Sequence, residues 1–201
     1  MNNITNLFLA GGYVMWPILL ASIITIAIAV ERFNFYKRSS TNMMLLKNQL
    51  PHLISSGQLN EARQLCHQAG GILGEVLVDV IDKTHSSINN KDYLEGSLTQ
   101  AAVHIRANLN YLSAIVTLSP LLGLLGTVTG MINAFDILSI SDGQPFAITG
   151  GVAEALIATA FGLFVAILAL CTHVWLTQCA NRLITDIETG ANHFLASFKE
   201  I

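Results

Sequence analysis

Three polar residues within long apolar stretches of the sequence, Glu154, Thr127 and Thr159, are the first candidates for chemistry. Glu154 and His173 are the only Asp, Glu, Lys, Arg or His residues between positions 146 and 176. Because a charge inside a membrane span is costly unless it is paired or hydrated, Glu154 either handles protons or hydrogen-bonds to a neighbouring helix or subunit. Thr127 and Thr159 carry hydroxyl groups that usually bond the carbonyl four residues earlier in the same helix. If the two stretches are antiparallel helices, both hydroxyls lie at a similar depth, and a ring of subunits would place them around one axis.

Small residues recur at helical spacing in the same two stretches. A stripe of Gly and Ala lets two helices approach closely in a membrane, where packing contacts hold helices together. The stripes predict that the two helices pair closely or line a narrow passage together. The predicted packing residues are Gly123, Gly126, Gly130, Ala155, Ala158 and Gly162.

The elements that must hold these residues are three apolar segments. Hydrophobic residues make up 52% of the 201 residues and charged residues 11%, which is an unusual balance for a soluble protein. A bilayer core of about 30 Å needs roughly 20 apolar residues in a helix. The sequence therefore predicts an all-α integral membrane protein with three transmembrane helices and long cytoplasmic helical extensions. The predicted segments are an outward-facing N-terminal segment (1–13), a first transmembrane helix (14–30), a cytoplasmic helical segment (31–111), a second transmembrane helix (112–138), an outward-facing loop (139–146), a third transmembrane helix (147–176) and a cytoplasmic C-terminal helix (177–201).

The distribution of basic residues predicts the orientation. All ten Lys and Arg residues lie in 31–111 or 177–201, and the cytoplasmic flanks of membrane helices are enriched in these residues. The N-terminus and the 139–146 loop are therefore expected on the outer, periplasmic side, and the C-terminus in the cytoplasm. Since the basic cluster that includes Arg32 follows the first apolar segment, that segment is expected to remain as a helix and not to be cleaved as a signal peptide.

The cytoplasmic segment is predicted to be a series of short amphipathic helices separated by Gly, Ser and Pro. The predicted breaks lie at Pro51, 55–57, 70–71 and 86–90. After the last break, one continuous helix is expected to run from Asp92 into the second transmembrane helix, because no Gly or Pro follows Gly96 before that span. The third transmembrane helix is expected to continue as far as Phe198.

Other classes of function find no support in the sequence. It contains no glycine-rich phosphate loop, no His and Cys spacing typical of a metal site and no nucleophile–base pair, so we expect no catalytic residue, metal, cofactor or enzymatic activity. The three cysteines are predicted to be reduced thiols. A net charge of -3 is too small to indicate a nucleic acid partner.

Two motifs resemble the paired signature of the ExbB/TolQ/MotA proton-channel family. The first runs from Ser119-Pro120 through Gly126-Thr127-Val128 to Met131-Ile132, and the second runs from Gly151 through Glu154 to Gly162-Leu163. The likeness covers most of the chain and is greatest to ExbB. Further matching residues are Met15-Trp16-Pro17 and Glu31-Arg32, on either side of the first span.

The resemblance implies a scaffold subunit that assembles as a pentamer in the lipid bilayer of the inner membrane and encloses a dimer of an ExbD-like single-span partner. In the family, an aspartate of the partner carries the proton and faces threonines that match Thr127 and Thr159, while Glu154 matches the family's glutamate. These three residues are then the expected proton pathway. An ExbB-like role implies that the complex transfers the energy of the proton motive force to a TonB-like protein for transport across the outer membrane.

Two other functions are consistent with the same residues. A TolQ-like subunit would serve the integrity of the cell envelope, and the sequence separates this role poorly from the ExbB-like one. A membrane adaptor that conducts no protons would use the small residues only for helix packing and its cytoplasmic helices for binding a partner. Dependence on protons and on the Thr127 hydroxyl distinguishes the adaptor from the other two.

Overall fold

The computed structural model describes residues 8–39, 41–83, 90–140 and 145–198. Every regular element within these ranges is a helix. The helices are α1 (Met15–Ser39), α2 (Met43–Ser55), α3 (Leu59–Ala69), α4 (Gly71–Lys83), α5 (Asn90–Ile105), α6 (Leu109–Ile140) and α7 (Pro145–Phe198).

Three helices, α1, α6 and α7, are long and apolar enough to cross a membrane by length and composition. They have 25, 32 and 54 residues, and the rise of 1.5 Å per residue makes even the shortest longer than a bilayer core. The predicted fold class is confirmed, because the protein is an all-α membrane protein with three such helices. The predicted spans 14–30, 112–138 and 147–176 overlap these three helices.

The chain divides into two compact units, which we call the span unit and the extension unit. The span unit comprises Met1–Val30 and Asn108–Trp175, and the extension unit comprises Glu31–Ala107 and Leu176–Ile201. In the span unit, as far as it is described, the three spanning helices share one apolar core. Its buried members are Val14, Ile18, Ala21, Ile115, Val165 and Ala169.

The core of the extension unit is built from larger side chains. Each of its short helices has one buried apolar face, as the amphipathic pattern predicts. The end of α7 belongs to the same core, since a methyl group at Gly190 would overlap Leu73 of α4 and lie 3.0 Å from Met43 of α2. Core residues that are less than 2% exposed include Ile54, Leu73, Leu77, Val80, Leu94 and Phe194.

The predicted helix break at Pro51 is wrong. Pro51 lies inside α2, which runs to Ser55. Proline removes one backbone hydrogen bond and costs about 3 kcal/mol in a helix interior. Here Leu50 and Ile54 flank it and are only 3% and 0% exposed, and burying two such side chains recovers a similar free energy. The helix therefore continues to Ser55 and ends before Gly57, whose φ is 73°.

The predicted continuous helix from Asp92 into the second span is also wrong. α5 ends at Ile105, a turn follows, and Asn108 has a φ of 66° before α6 begins. The last carbonyl groups of α5 are bonded by side chains of α1, since Arg32 Nη1 donates to the oxygen of His104 at 3.2 Å and the Tyr36 hydroxyl donates to that of Ile105 at 3.0 Å. These contacts satisfy groups that a continuous helix would have paired internally.

The predicted breaks at 55–57 and 70–71 and the predicted extension of the third span to Phe198 are confirmed. α2 ends before Gly57, and α3 gives way to α4 at Gly70 and Gly71, which both have positive φ. α7 continues through the predicted third span to Phe198 in one helix. The predicted break at 86–90 falls largely on residues outside the described ranges, and so does part of the 139–146 loop.

Candidate functional site

Helices α6 and α7 touch backbone to backbone along their small residues. A methyl group at Gly162 would lie 2.7 Å from the carbonyl oxygen of Ser119 and 3.0 Å from Cα of Gly123. A methyl group at Gly130 would lie 3.0 Å from the carbonyl oxygen of Gly151 and 3.1 Å from Cβ of Ala155. These distances are shorter than ordinary van der Waals contacts, so only glycine fits at Gly162 and Gly130 without movement of the neighbouring helix.

The remaining predicted packing residues lie in the same contact. A methyl group at Gly123 would lie 3.1 Å from Cα of Thr159, and one at Gly126 would overlap Cβ of Ala158. Ala155 and Ala158 are 4% and 0% exposed. As the residue numbers increase along α6, the residue numbers of their contact partners on α7 decrease, so the two helices run antiparallel.

The Thr159 hydroxyl lies between the two helices. Its Oγ1 is 3.1 Å from the carbonyl oxygen of Gly123 on α6 and 3.2 Å from that of Ala155 on its own helix. The single hydroxyl proton is therefore shared between an acceptor across the interface and the usual acceptor four residues earlier. The bond to Gly123 is available because glycine lets α7 approach the backbone of α6.

The Thr127 hydroxyl donates within its own helix, to the carbonyl oxygen of Leu124 at 2.7 Å. Thr127 is four residues from Gly123, which is about one helical turn or 6 Å along the axis. Since Thr159 bonds at the level of Gly123, the two hydroxyls lie on adjacent turns of the α6–α7 pair. Thr127 is partly exposed in this chain, so its side chain remains accessible to another molecule.

Glu154 lies nearer the start of α7 than Thr159 does, beside the turn that precedes α1. A methyl group at Gly12 would lie 2.9 Å from Cδ and 3.3 Å from Cγ of Glu154, and would overlap Oε1. Glu154 is partly buried. It is five residues from Thr159, or roughly 7.5 Å along the helix axis. The structure thus places the three predicted pathway residues at successive levels of one helix pair, with Glu154 at the end close to the N-terminal turn.

One polar residue of this helix pair has no role in the sequence-based prediction. Ser119 is 0% exposed, and its Oγ has no hydrogen-bond partner among the described residues. It lies at the level of Gly162, one turn beyond Gly123. A buried hydroxyl without a partner costs about 1–3 kcal/mol. Its place in the Ser119-Pro120 pair was visible in the sequence, but its burial was not.

The glycine pair Gly11-Gly12 was also missed. Gly12 has a φ of 72°, a conformation that glycine adopts at no steric cost. Adjacent glycines before an apolar segment indicate a turn, but a turn signal does not say which side chain lies against it.

Among the described residues, no group of three or more His, Cys, Asp or Glu side chains could hold a metal ion.

The family model described as the MotA/TolQ/ExbB proton channel family matches residues 64–189. This segment is more than half of the chain and contains Thr127, Glu154 and Thr159, with all of α6 and most of α7. The chain belongs to the MotA/TolQ/ExbB proton channel family. The family is thus one of proton channel proteins.

Individual relatives come from both the ExbB and the TolQ branches of the family. The chain is 34% identical to the putative biopolymer transport protein ExbB-like 1 of Synechocystis sp., over 81% of this chain and 66% of that protein. It is 30% identical to the Tol-Pal system protein TolQ of Haemophilus influenzae, over 99% of this chain and 93% of that protein. It is 26% identical to the biopolymer transport protein exbB1 of Vibrio cholerae, over 90% of this chain and 82% of that protein. The chain thus spans about two thirds of the length of the first of these relatives.

Proposed function

We propose that this protein is the ExbB-like scaffold subunit of an inner-membrane complex that uses the proton motive force to energise TonB-dependent transport across the outer membrane. The observation that carries the proposal is the series of Glu154, Thr127 and Thr159 on one closely packed helix pair. Between them, the helix contacts are made by Gly and Ala. These three residues are polar groups that a proton path along this pair would use.

The proton itself is carried by a partner in this proposal. The chain assembles as a pentamer around a dimer of ExbD-like single-span subunits, whose membrane aspartate faces Thr127 and Thr159. A charged carboxylate is costly in an apolar environment, whereas a protonated one is much less so. Protonation from the periplasmic side lets the partner's carboxyl group pass the apolar wall between subunits, and release to the cytoplasm resets it.

The energy available supports such a cycle. Moving one charge through a potential of about 150 mV releases about 3.5 kcal/mol, so several protons supply enough for a conformational change. Movement of the partner dimer within the ring would pass this energy to a TonB-like protein. The orientation is the one predicted by the basic residues, with a periplasmic N-terminus and a cytoplasmic C-terminus.

The exposed surface of the span unit supports assembly in a membrane. Large apolar side chains on α6 point away from this chain, among them Leu121, Leu124 and Phe135, which are 55%, 59% and 59% exposed. Such a surface is stable only against lipid or against other apolar helices. The partly exposed Thr127 lies on the same helix, so its hydroxyl can face a partner.

A TolQ-like role is the second candidate function. The observation that favours it is the similarity to the Tol-Pal system protein TolQ of Haemophilus influenzae over 99% of this chain. In that case the same proton path would energise a complex that maintains the cell envelope.

The test compares strains that lack this protein and are complemented with variants at equal membrane abundance. Thr127→Val removes a hydroxyl that, among the described residues, bonds within its own helix, so assembly should survive. Thr117→Val is the matched control, since the Thr117 hydroxyl also donates within α6, at 3.2 Å to the oxygen of Ser113. Growth on a scarce chelated iron source is measured for each strain.

We expect wild type and Thr117→Val to restore growth and Thr127→Val to fail. If Thr127→Val restores growth fully, the assignment of Thr127 to the proton path is wrong, and a non-conducting adaptor gains support. If deletion leaves growth on iron intact but makes the cells sensitive to detergent, the TolQ-like role replaces the ExbB-like one.

A further inference from the structure

The turn before α1 lies directly against the Glu154 carboxylate. The backbone N–H of Gly11 donates to the oxygen of Phe8 at 3.2 Å, and that of Met15 donates to the oxygen of Gly12 at 3.3 Å, so the chain turns tightly here. A methyl group at Gly12 would overlap one carboxylate oxygen of Glu154 and lie 2.9 Å from Cδ. The glutamate side chain therefore occupies the space that a side chain at position 12 would need.

The contact extends to the neighbouring positions of both segments. A methyl group at Gly11 would lie 3.2 Å from Cγ2 of Ile157. Ile157 is three residues from Glu154 and so lies on the same face of α7. Met15, which follows the turn, is 1% exposed. Two successive backbone positions of the turn thus cover two successive residues of one helix face.

Position 12 has two separate requirements for glycine. Its φ of 72° is unfavourable for most residues with a Cβ atom. Asparagine tolerates this φ better than other residues do, but it would still bring a Cβ into the space of the carboxylate. The two requirements can therefore be separated by substitution.

We infer that Gly12 is a positioning residue for Glu154: the bare backbone of the turn holds the carboxylate in one place on α7 and covers one side of it. The inference deepens the proposed function, on which it rests for the role of Glu154 in proton transfer. A side chain at position 12 displaces the carboxylate, and its access to protons and reagents changes. The contact itself does not depend on what the complex energises.

The experiment measures how fast a hydrophobic carbodiimide modifies Glu154 in the intact complex in membrane vesicles, across a range of pH. Carbodiimides react with protonated carboxyl groups, so the rate reports both the access and the protonation of this side chain. The variants are Gly12→Ala and Gly12→Asn. The matched control is Gly150→Ala, because Gly150 also lies near the start of α7 and a methyl group there meets nothing within 4 Å.

We expect both Gly12 variants to shift the rate of modification or its pH profile severalfold and to reduce energised growth, while Gly150→Ala leaves both unchanged. If Gly12→Asn behaves as wild type and only Gly12→Ala is affected, the cause is backbone strain and the inference is wrong. It is also wrong if both variants lose growth with the modification of Glu154 unaltered.

Two further outcomes keep the inference separate from the proposed function and from folding. If Glu154→Gln restores growth fully, the proton role of Glu154 fails, while the modification rates in the Gly12 variants still decide whether Gly12 positions the carboxylate. If Gly12→Ala does not accumulate in the membrane, it is combined with Glu154→Asp, whose side chain is shorter by one methylene. If the double variant accumulates in the membrane, the overlap of the new methyl group with the Glu154 carboxylate is the cause of the loss. If it does not accumulate, the inference is wrong.

Discussion

The span unit and the extension unit use opposite kinds of contact to hold their helices together. Where α6 meets α7 in the span unit, the contact is made by glycine, alanine and a threonine hydroxyl at backbone distance. In the extension unit, side chains such as Leu73, Leu77 and Phe194 are almost completely buried. The first unit depends on how close two backbones come, and the second on how much apolar surface leaves water.

The difference follows from the solvent. Lipid tails are as apolar as leucine, so burying a large side chain between two membrane helices gains little, and close packing with interhelical hydrogen bonds must supply the stability. In water, burial of a leucine side chain contributes about 1.5–3 kcal/mol. The two units should therefore respond oppositely when side chains are made smaller or larger.

The largest effect is expected from removing a large side chain in the extension unit. Leu77→Ala should lower the free energy of unfolding by about 2–5 kcal/mol, because the residue is 0% exposed and leaves a cavity. Val103→Ala in the same unit should have little effect, since Val103 is 69% exposed. Denaturant unfolding of the purified protein in detergent measures both, and equal losses would contradict the comparison.

Adding one methyl group should be harmful in the span unit. Gly162→Ala should lower the free energy of unfolding by about 1–3 kcal/mol, because the new methyl group meets backbone atoms of Ser119 and Gly123 that cannot move aside. Gly150→Ala, in the same helix but in open space, should be neutral or slightly stabilising because alanine favours helices. If the two variants unfold at the same temperature, close backbone approach is not what stabilises α6 against α7.

Two arginines of the extension unit allow a buried polar side chain to be compared with an exposed one. The side chain of Arg32 is 5% exposed and donates to the end of α5, whereas that of Arg63 is 54% exposed and pairs with Asp82. Arg32→Ala should cost about 1–3 kcal/mol, since it removes a nearly buried side chain together with its hydrogen bond to the end of α5. Arg63→Ala should cost less than about 1 kcal/mol and should depend on salt. Thermal unfolding at low and high salt measures the two, and an equal cost would mean that burial of Arg32 adds nothing.

The last prediction concerns how the free energy of unfolding depends on pH. The extension unit holds a buried thiol, Cys66, whose ionisation should affect stability only at alkaline pH. Burial raises the pKa of the Cys66 thiol from 9.0 to about 12. The unfolded chain therefore loses this proton at lower pH than the folded protein, so the stability from the buried neutral thiol is complete below pH 9 and decreases as the pH rises towards 12. The decline of stability with pH should be less steep in Cys66→Ala, and identical slopes for the two proteins would contradict the shift.

Local patterns predicted much of this molecule, because they report on features that each segment carries alone. Apolar length predicted the three spanning helices, and the glycines predicted the turns at 57 and 70–71. The spacing of the small residues also selected positions that lie in the α6–α7 contact. The role of Thr127, Thr159 and Glu154 in a proton path stays a prediction, since it depends on a partner that this chain does not contain.

Features decided by distant atoms could not be predicted in this way. The break between α5 and α6 depends on Arg32 and Tyr36, about 70 residues earlier, which bond the last carbonyl groups of α5. Pro51 remains inside a helix because its neighbours are buried by other elements. Local signals for a continuous helix or for a break were overruled in both places by tertiary contacts.

By itself, the sequence determined that this protein has three helices long and apolar enough to cross a membrane and which helix faces are narrow enough to meet, because hydropathy and residue size act within each segment. Only the tertiary structure decided that the Thr159 hydroxyl reaches across to Gly123, that Ser119 is buried without a hydrogen-bond partner among the described residues and that Gly12 lies on Glu154. Each of these facts is a distance between segments far apart in the chain, and such distances are set by packing.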